Sequence, residues 1–222
     1  MLEVILDTET TGLSTAEKHR IVEIGCVELD NQIPTKKIFH KYINPQRSVS
    51  EEAYKVHGYS DEFLSNKETF LDISKDFLNF IKNKKLIIHN AAFDLSFLNY
   101  ELSLINLNTI DSKNVTDTLE IARTKYPGSQ NSLDALCKRF NIDNSKREKH
   151  GALVDCYLLK EVYVNLLDQK EPKLNLESVQ ILDSNFSEKI NNKLGKIIKP
   201  DDNEIQLHKK YLKSDLPKNY FN

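Results

Sequence analysis

The sequence predicts an α/β fold in which a mixed sheet is flanked by helices and followed by a polar tail. Three observations carry that expectation. Strand patterns crowd the opening third, helix-period and strand-period segments alternate after it, and the apolar periodicity lapses near Asp168. A chain of 222 residues has room for one sizeable domain plus an appendage, because single cores close at roughly 100–200 residues.

Leu2 to Asp7 is an apolar strand segment that runs into the turn Thr10-Thr11-Gly12. Ile21 to Leu29 alternates apolar and polar residues around Gly25, and Ile38 to Ile43 alternates again until Pro45 stops it. These early strands predict a meander. Phe70, Leu71, Phe77, Leu78 and Ile81 fall on helical spacings over residues 69–81, and Leu86-Ile87-Ile88 reads as a short buried strand. Helix-period stripes then cover Phe93 to Ile105, Ser132 to Phe140 with Ser132 as N-cap, and His150 to Leu167. The expected domain is 1–168, with 169–222 forming a linker and a partly disordered C-terminal tail. Within the tail, Pro200-Asp201-Asp202 predicts a helix start for Glu204 to Lys213, with Ile205, Leu207, Tyr211 and Leu212 covering one side. So short a helix needs something to dock on, since isolated helices below ~12–15 residues are marginal.

Hydrophobic residues make up 39% and aromatics 9% of the chain, enough for a packed core despite a mean hydropathy of -0.51. No stretch approaches the ~18 apolar residues of a membrane span, and the opening residues lack a basic, cleavable leader, so a cytoplasmic protein is expected. Cys26, Cys137 and Cys156 are far apart in apolar patterns and read as reduced core residues. A net charge of -2 argues against gripping nucleic acid by global electrostatics. It leaves room for local binding, because cations held by clustered acids create a phosphate-attracting spot.

Asp7 and Glu9 are two apart at a strand end, so alternation aims both carboxylates to one side. Alone, the pair also fits a solvated strand end. Asp94 falls in the first turn of a helix entered from His89-Asn90-Ala91-Ala92, where helix polarity by itself favours an acid. Asp155 sits among Val154, Cys156 and Leu158, and an acid buried there needs a cation or a donor. His150 precedes it by five positions and, by itself, fits a cap or a surface residue equally well.

Together these segments resemble the exonuclease signatures of the DEDD superfamily: Asp7-Thr8-Glu9, then Asp94, then His150 with Asp155. The histidine places the likeness in the histidine (DEDDh) branch, whose fold is a ribonuclease-H-like mixed five-stranded sheet flanked by helices. More narrowly, the runs DTETTG, EAYKVHGYSDEFL and IIHNAAFD resemble the epsilon proofreading subunits of bacterial DNA polymerase III, and IIKPDDNEIQLHKKYL resembles their polymerase-binding tail.

That resemblance implies a 3′→5′ DNA exonuclease that releases nucleoside 5′-monophosphates by two-metal hydrolysis. Crowded carboxylates make sense only with cations between them, and oxygen ligands favour two Mg²⁺, with Mn²⁺ as a substitute. Asp7 is expected to bridge the ions, Glu9 and Asp155 to complete the one that holds the attacking water, and Asp94 to support the other. Neutral imidazole, available at an unperturbed pKa near ~6.5, makes His150 the expected general base. The resemblance also sets Asp7, Glu9, Thr10, Glu52, His57 and Asp155 against the 3′-terminal nucleotide, although Glu52 to Gly58 alone reads as a short helix stopped by Gly58.

The implied partners are a single-stranded or frayed DNA 3′ end, the polymerase III alpha subunit through the tail, and a sliding clamp through Glu171 to Leu176, where Glu171 replaces the usual glutamine. Tethering explains how an acidic chain works on DNA, because a linked partner supplies effective concentration. The implied location is the bacterial cytoplasm, at the nucleoid-associated replication fork. Two alternatives remain at this point: a stand-alone DEDDh exonuclease acting on RNA or repair intermediates, and a catalytically silent DNA-end-binding scaffold.

Overall fold

A computed structural model describes residues 2–145, 149–167 and 200–214. The chain divides into two units, residues 1–173 and 174–222. In the first, β1 (Leu2–Thr10), β2 (Ile21–Asp30) and β3 (Ile33–Tyr42) form the expected meander. Then come α1 (Glu51–His57), α2 (Asp61–Ser65), α3 (Phe70–Ile81), β4 (Lys85–Ile88), α4 (Ala91–Leu104), β5 (Val115–Asp117), α5 (Thr118–Lys125), α6 (Leu133–Phe140) and α7 (Ala152–Leu166). The sheet order is β3-β2-β1-β4-β5, with β4 parallel to both β1 and β5.

The central strand decides what lies where. Val4 and Leu6 face a core shared with Phe70, Phe77, Phe97 and Leu102 of α3 and α4. Ile5 faces the opposite core with Cys156, Leu159 and Tyr163 of α7. By the two-residue period of a strand, Asp7 and Glu9 therefore share the face on which α7 lies, and Thr8 shares the face of α4. α7 is apolar almost all round because its far side packs on α5 and α6 through Leu158, Val162 and Leu166.

Helix ends are fixed by caps, two of which, Ser132 and Gly58, the sequence announces. Ser132 Oγ accepts from the Ala135 N–H at 3.3 Å, Thr69 and Asp72 form a capping box, and Gly58, with φ 80°, closes α1 in the left-handed conformation. β3 is longer than expected and runs through Pro34, which an edge strand tolerates because one row of its backbone donors has no ladder to join. α7 begins at Ala152, so His150 stands just ahead of the helix rather than in it. All three cysteines are buried free thiols.

In the second unit, Asp202–Ser214 forms α8, and the Asp201 carboxylate accepts from the Glu204 N–H at 2.8 Å. Its Ile205, Leu207 and Tyr211 are exposed. The boundary at 168, the linker, and the segment Glu171 to Leu176 fall outside the described residues. Among the described residues no helix is long and apolar enough to cross a membrane.

Candidate active site

The carboxyl end of β1 is where the expected acids meet. Gly25 lies opposite Asp7 in the β1/β2 ladder. A Cβ at Gly25 would stand 2.5 Å from the Ala152 carbonyl carbon and the Leu153 nitrogen, so only a glycine lets the first turn of α7 rest on the sheet beside Asp7. That close seating carries Asp155, 3% exposed, to the Asp7 side. One ligand atom from each of Glu9, His150 and Asp155 lies within 4.8 Å of the others. His150 Nδ1 is 3.5 Å from Asp155 Oδ2, with 44% of the imidazole side chain open to solvent.

Asp94 arrives from the other face. It is 3% exposed, and its Oδ1 accepts both the Thr8 N–H at 3.0 Å and the Thr8 hydroxyl at 2.7 Å. The turn into α4 is fixed from below by Asp117, whose carboxylate accepts from the Asn90 and Ala91 N–H groups, both at 3.0 Å, and from the Leu119 N–H at 2.8 Å. Asn90 takes up φ 64° there, a conformation that asparagine tolerates.

The electrostatics report crowding. Withdrawal from water, followed by repulsion from Asp94, Asp155, Glu9 and Glu23, pushes the Asp7 carboxyl well above its ordinary value. Asp94 is pushed up to about 7, chiefly by burial and against the pull of its Thr8 bonds. A group of carboxylates held at this cost, with Asp94 Oδ2 not used by Thr8, fits hard divalent cations bound by oxygen.

Beside the acids opens a cavity of about 600 Å³ whose walls include Thr10, Leu13, Glu52, Val56, His57 and Phe93. Its size and mixed lining suit a nucleoside. His57 Nδ1 accepts from the Tyr59 N–H at 3.0 Å, which leaves the proton on Nε2, a buried nitrogen that feels the Thr10 backbone but makes no full hydrogen bond to it. Burial holds the His57 pKa below the ordinary histidine value, so the ring is a neutral donor. Thr10 spends its hydroxyl on the Gly12 carbonyl at 2.7 Å, which shapes the loop. Glu52 is exposed in the first turn of α1.

The structure thus gathers Asp7, Glu9, Asp94, His150 and Asp155 in one place, and Thr10, Glu52 and His57 around the adjoining cavity. Sequence reasoning passed over Thr8, Glu23, Asp117 and Leu13. Asp117 carried a legible signal, an acid just before the helix-period run Thr118 to Ile121. Leu13, 84% exposed at the cavity mouth, carried one too, an apolar residue directly after the turn glycine.

The Exonuclease family model matches residues 4–163, and the chain belongs to that family of nucleases. It is 48% identical to the DNA polymerase III subunit epsilon of Rickettsia felis over 221 residues, 96% of each chain. It is also 48% identical over 169 residues to the DNA polymerase III subunit epsilon of Escherichia coli K12, covering 73% of this chain and 70% of that one. Within the family it therefore stands among the epsilon subunits, enzymes that work as 3′→5′ proofreading exonucleases dependent on divalent metal.

Two solved structures share the ribonuclease-H-like fold. Exonuclease X in complex with 5′ overhanging duplex DNA is 24% identical, with a TM-score of 0.60 over 75% of this chain and 92% of that one. The nuclease domain of 3′hExo, a DEDDh family member bound to rAMP, is 20% identical, with a TM-score of 0.66 over 76% of this chain and 92% of that one.

Proposed function

We propose that this chain removes nucleotides one at a time from a DNA 3′ end as the proofreading exonuclease of a bacterial replicative polymerase, with Asp7, Glu9, Asp94 and Asp155 holding two Mg²⁺, or Mn²⁺ in their place. The observation that carries this is the meeting of Glu9, His150 and Asp155 within 4.8 Å, beside an Asp7 whose pKa is raised by burial first and then by the charges of Asp94, Asp155, Glu9 and Glu23. When bound, the cations would activate water and stabilise the leaving 3′ oxygen.

The chain's own residues do the rest. Asp7, Glu9 and Asp155 would hold one ion and Asp7 with Asp94 the other, while Thr8 fixes the Asp94 carboxylate through Oδ1. His150, open to solvent on one flank, takes the proton from the attacking water. The terminal nucleoside occupies the neighbouring cavity, its base against Leu13, Val56 and Phe93 and its sugar near Thr10, Glu52 and His57. Keeping that nucleoside fixed while the phosphate meets the acids is a catalytic contribution in itself.

The exposed apolar residues Ile205, Leu207 and Tyr211 of α8 support docking of the tail on the polymerase alpha subunit, and Glu171 to Leu176 supports a sliding-clamp contact. Work at the replication fork in the cytoplasm follows from those partners.

The test is a 5′-labelled single strand incubated with Mg²⁺. A ladder of one-nucleotide steps that stops on chelation is expected, and Asp7→Ala or Asp155→Ala abolishes it with the fold intact. Near-normal turnover in either variant overturns the metal assignment. Deleting residues 200–222 is expected to release the alpha subunit while sparing nuclease activity, and continued copurification would refute the docking.

A further inference from the structure

Glu23 is 2% exposed and stands opposite Glu9 in the β1/β2 ladder, on the sheet face that carries α7. Its Oε2 accepts from the Ala152 N–H at 2.9 Å and from the Tyr59 hydroxyl at 2.8 Å, and its Oε1 lies 2.6 Å from His40 Nε2. Both carboxylate oxygens are therefore occupied, which is how a buried acid offsets its lost hydration. An acid with only a packing role would not have to meet the first backbone donor of the helix that follows His150.

The segment carrying His150 is held at two points. The His150 N–H donates to the Val56 carbonyl at 3.2 Å, and Ala152, two residues on, is held by Glu23. Between them Gly151 passes so close that a Cβ there would stand 3.3 Å from the Tyr59 hydroxyl. Tyr59 in turn stacks on His57, with ring centroids 4.8 Å apart and planes at 24°. Burial, followed by the Glu23 charge, raises the Tyr59 pKa and keeps its phenol a donor.

We infer that Glu23 is a positioning residue for hydrolysis: its carboxylate anchors the start of α7 so that His150 is held over the metal-binding acids. Through Tyr59 the same carboxylate joins the His57 wall of the nucleoside cavity to the His150 segment, linking the part that holds the nucleotide to the part that moves the proton. The inference rests on the reading of His150 as the general base.

A double-mutant cycle with full-length protein on a 5′-labelled single strand tests it. Glu23→Ala is expected to lower kcat about ten- to a hundredfold, the size of a small misplacement of a catalytic group, with KM and the Mg²⁺ requirement within about twofold. Glu23→Gln is expected to recover most of the rate, because an amide oxygen still accepts from Ala152 and Tyr59. In a His150→Ala background, Glu23→Ala is expected to add less than about twofold.

Equal losses in both backgrounds, with His150→Ala itself impaired, overturn the inference alone. A raised Mg²⁺ requirement moves the defect to Asp155 and also overturns it. A His150→Ala enzyme at the wild-type rate removes the base reading, and the inference with it. Should Glu23→Ala not fold, Tyr59→Phe takes its place in the cycle. The expected loss in kcat is then about fivefold, roughly one hydrogen bond, and it vanishes without His150; an undiminished kcat overturns the inference.

Discussion

Thr8 and Asp94 are 86 positions apart, and one oxygen of Asp94 accepts both the backbone N–H and the hydroxyl of Thr8. Strand direction makes this possible: Asp7 and Glu9 point toward α7 while the residue between them reaches the acid of α4 on the opposite face. Thr8→Val keeps the shape and the backbone bond but removes the hydroxyl. Such a variant is expected to lose about tenfold in kcat, in line with about 1.4 kcal/mol for one charge-assisted bond, with half-saturation at higher Mg²⁺. Steady-state rates across a Mg²⁺ titration check both effects, and an unchanged titration would show that Asp94 needs no such orientation.

Metal-free protein carries the cost of its own acids. The folded pKa values of Asp7 and Asp94 lie above their unfolded values, Asp94 at about 7. The Asp94 contribution to stability is therefore full below the unfolded carboxylate range near ~4 and is lost as pH rises through about 7, and Asp7, also raised, shifts stability in the same direction. In chelator, the melting temperature is expected to fall between pH 5 and 8 by about 2–4 °C for each kcal/mol lost. Adding Mg²⁺ is expected to abolish the fall, and Asp94→Asn to lessen it in chelator. Calorimetry with and without Mg²⁺ decides the matter, and a flat profile in chelator would contradict it.

Gly25→Ala places a methyl group where the Ala152 and Leu153 backbone now lies. Backbone cannot swing aside as a side chain can, so α7 must lift. A cost of about 1–3 kcal/mol in stability is expected, together with a loss of activity out of proportion to it, because Asp155 and His150 move with the helix. Kinetics on the folded fraction, separated by its melting curve, measures the two effects independently.

His57→Ala removes the neutral Nε2 donor and one wall of the nucleoside cavity. KM is expected to rise about tenfold, the worth of roughly one hydrogen bond plus lost contact, while kcat changes little. An unaltered KM would leave His57 as the closing residue of α1 and nothing more.

Much of this site was legible in the sequence because its rules are local. A two-residue period puts Asp7 and Glu9 together, serine caps announce α6, and an acid among Val154, Cys156 and Leu158 asks for compensation. What stayed hidden depends on neighbours distant in sequence. Glu23 is one of the polar residues in the alternating run of β2, and nothing in that run announces that α7 covers its face and leaves it buried. β5 has three residues, too few to show any period, so the strand and the anchoring role of Asp117 emerge only with the sheet. α7 starts two residues later than the pattern from His150 suggests, because Gly151 is extended (φ -156°, ψ 128°) and the helix begins only with the apolar run at Ala152, leaving His150 ahead of it.

The order of the acids along the chain has a consequence for biosynthesis. Asp7 belongs to the first strand and Asp155 to α7, the last described helix of the first unit. On the proposed mechanism, a chain halted or clipped before residue 150 lacks Asp155 and His150 together, so translation intermediates and truncated remnants are expected to be unable to attack the cell's own DNA.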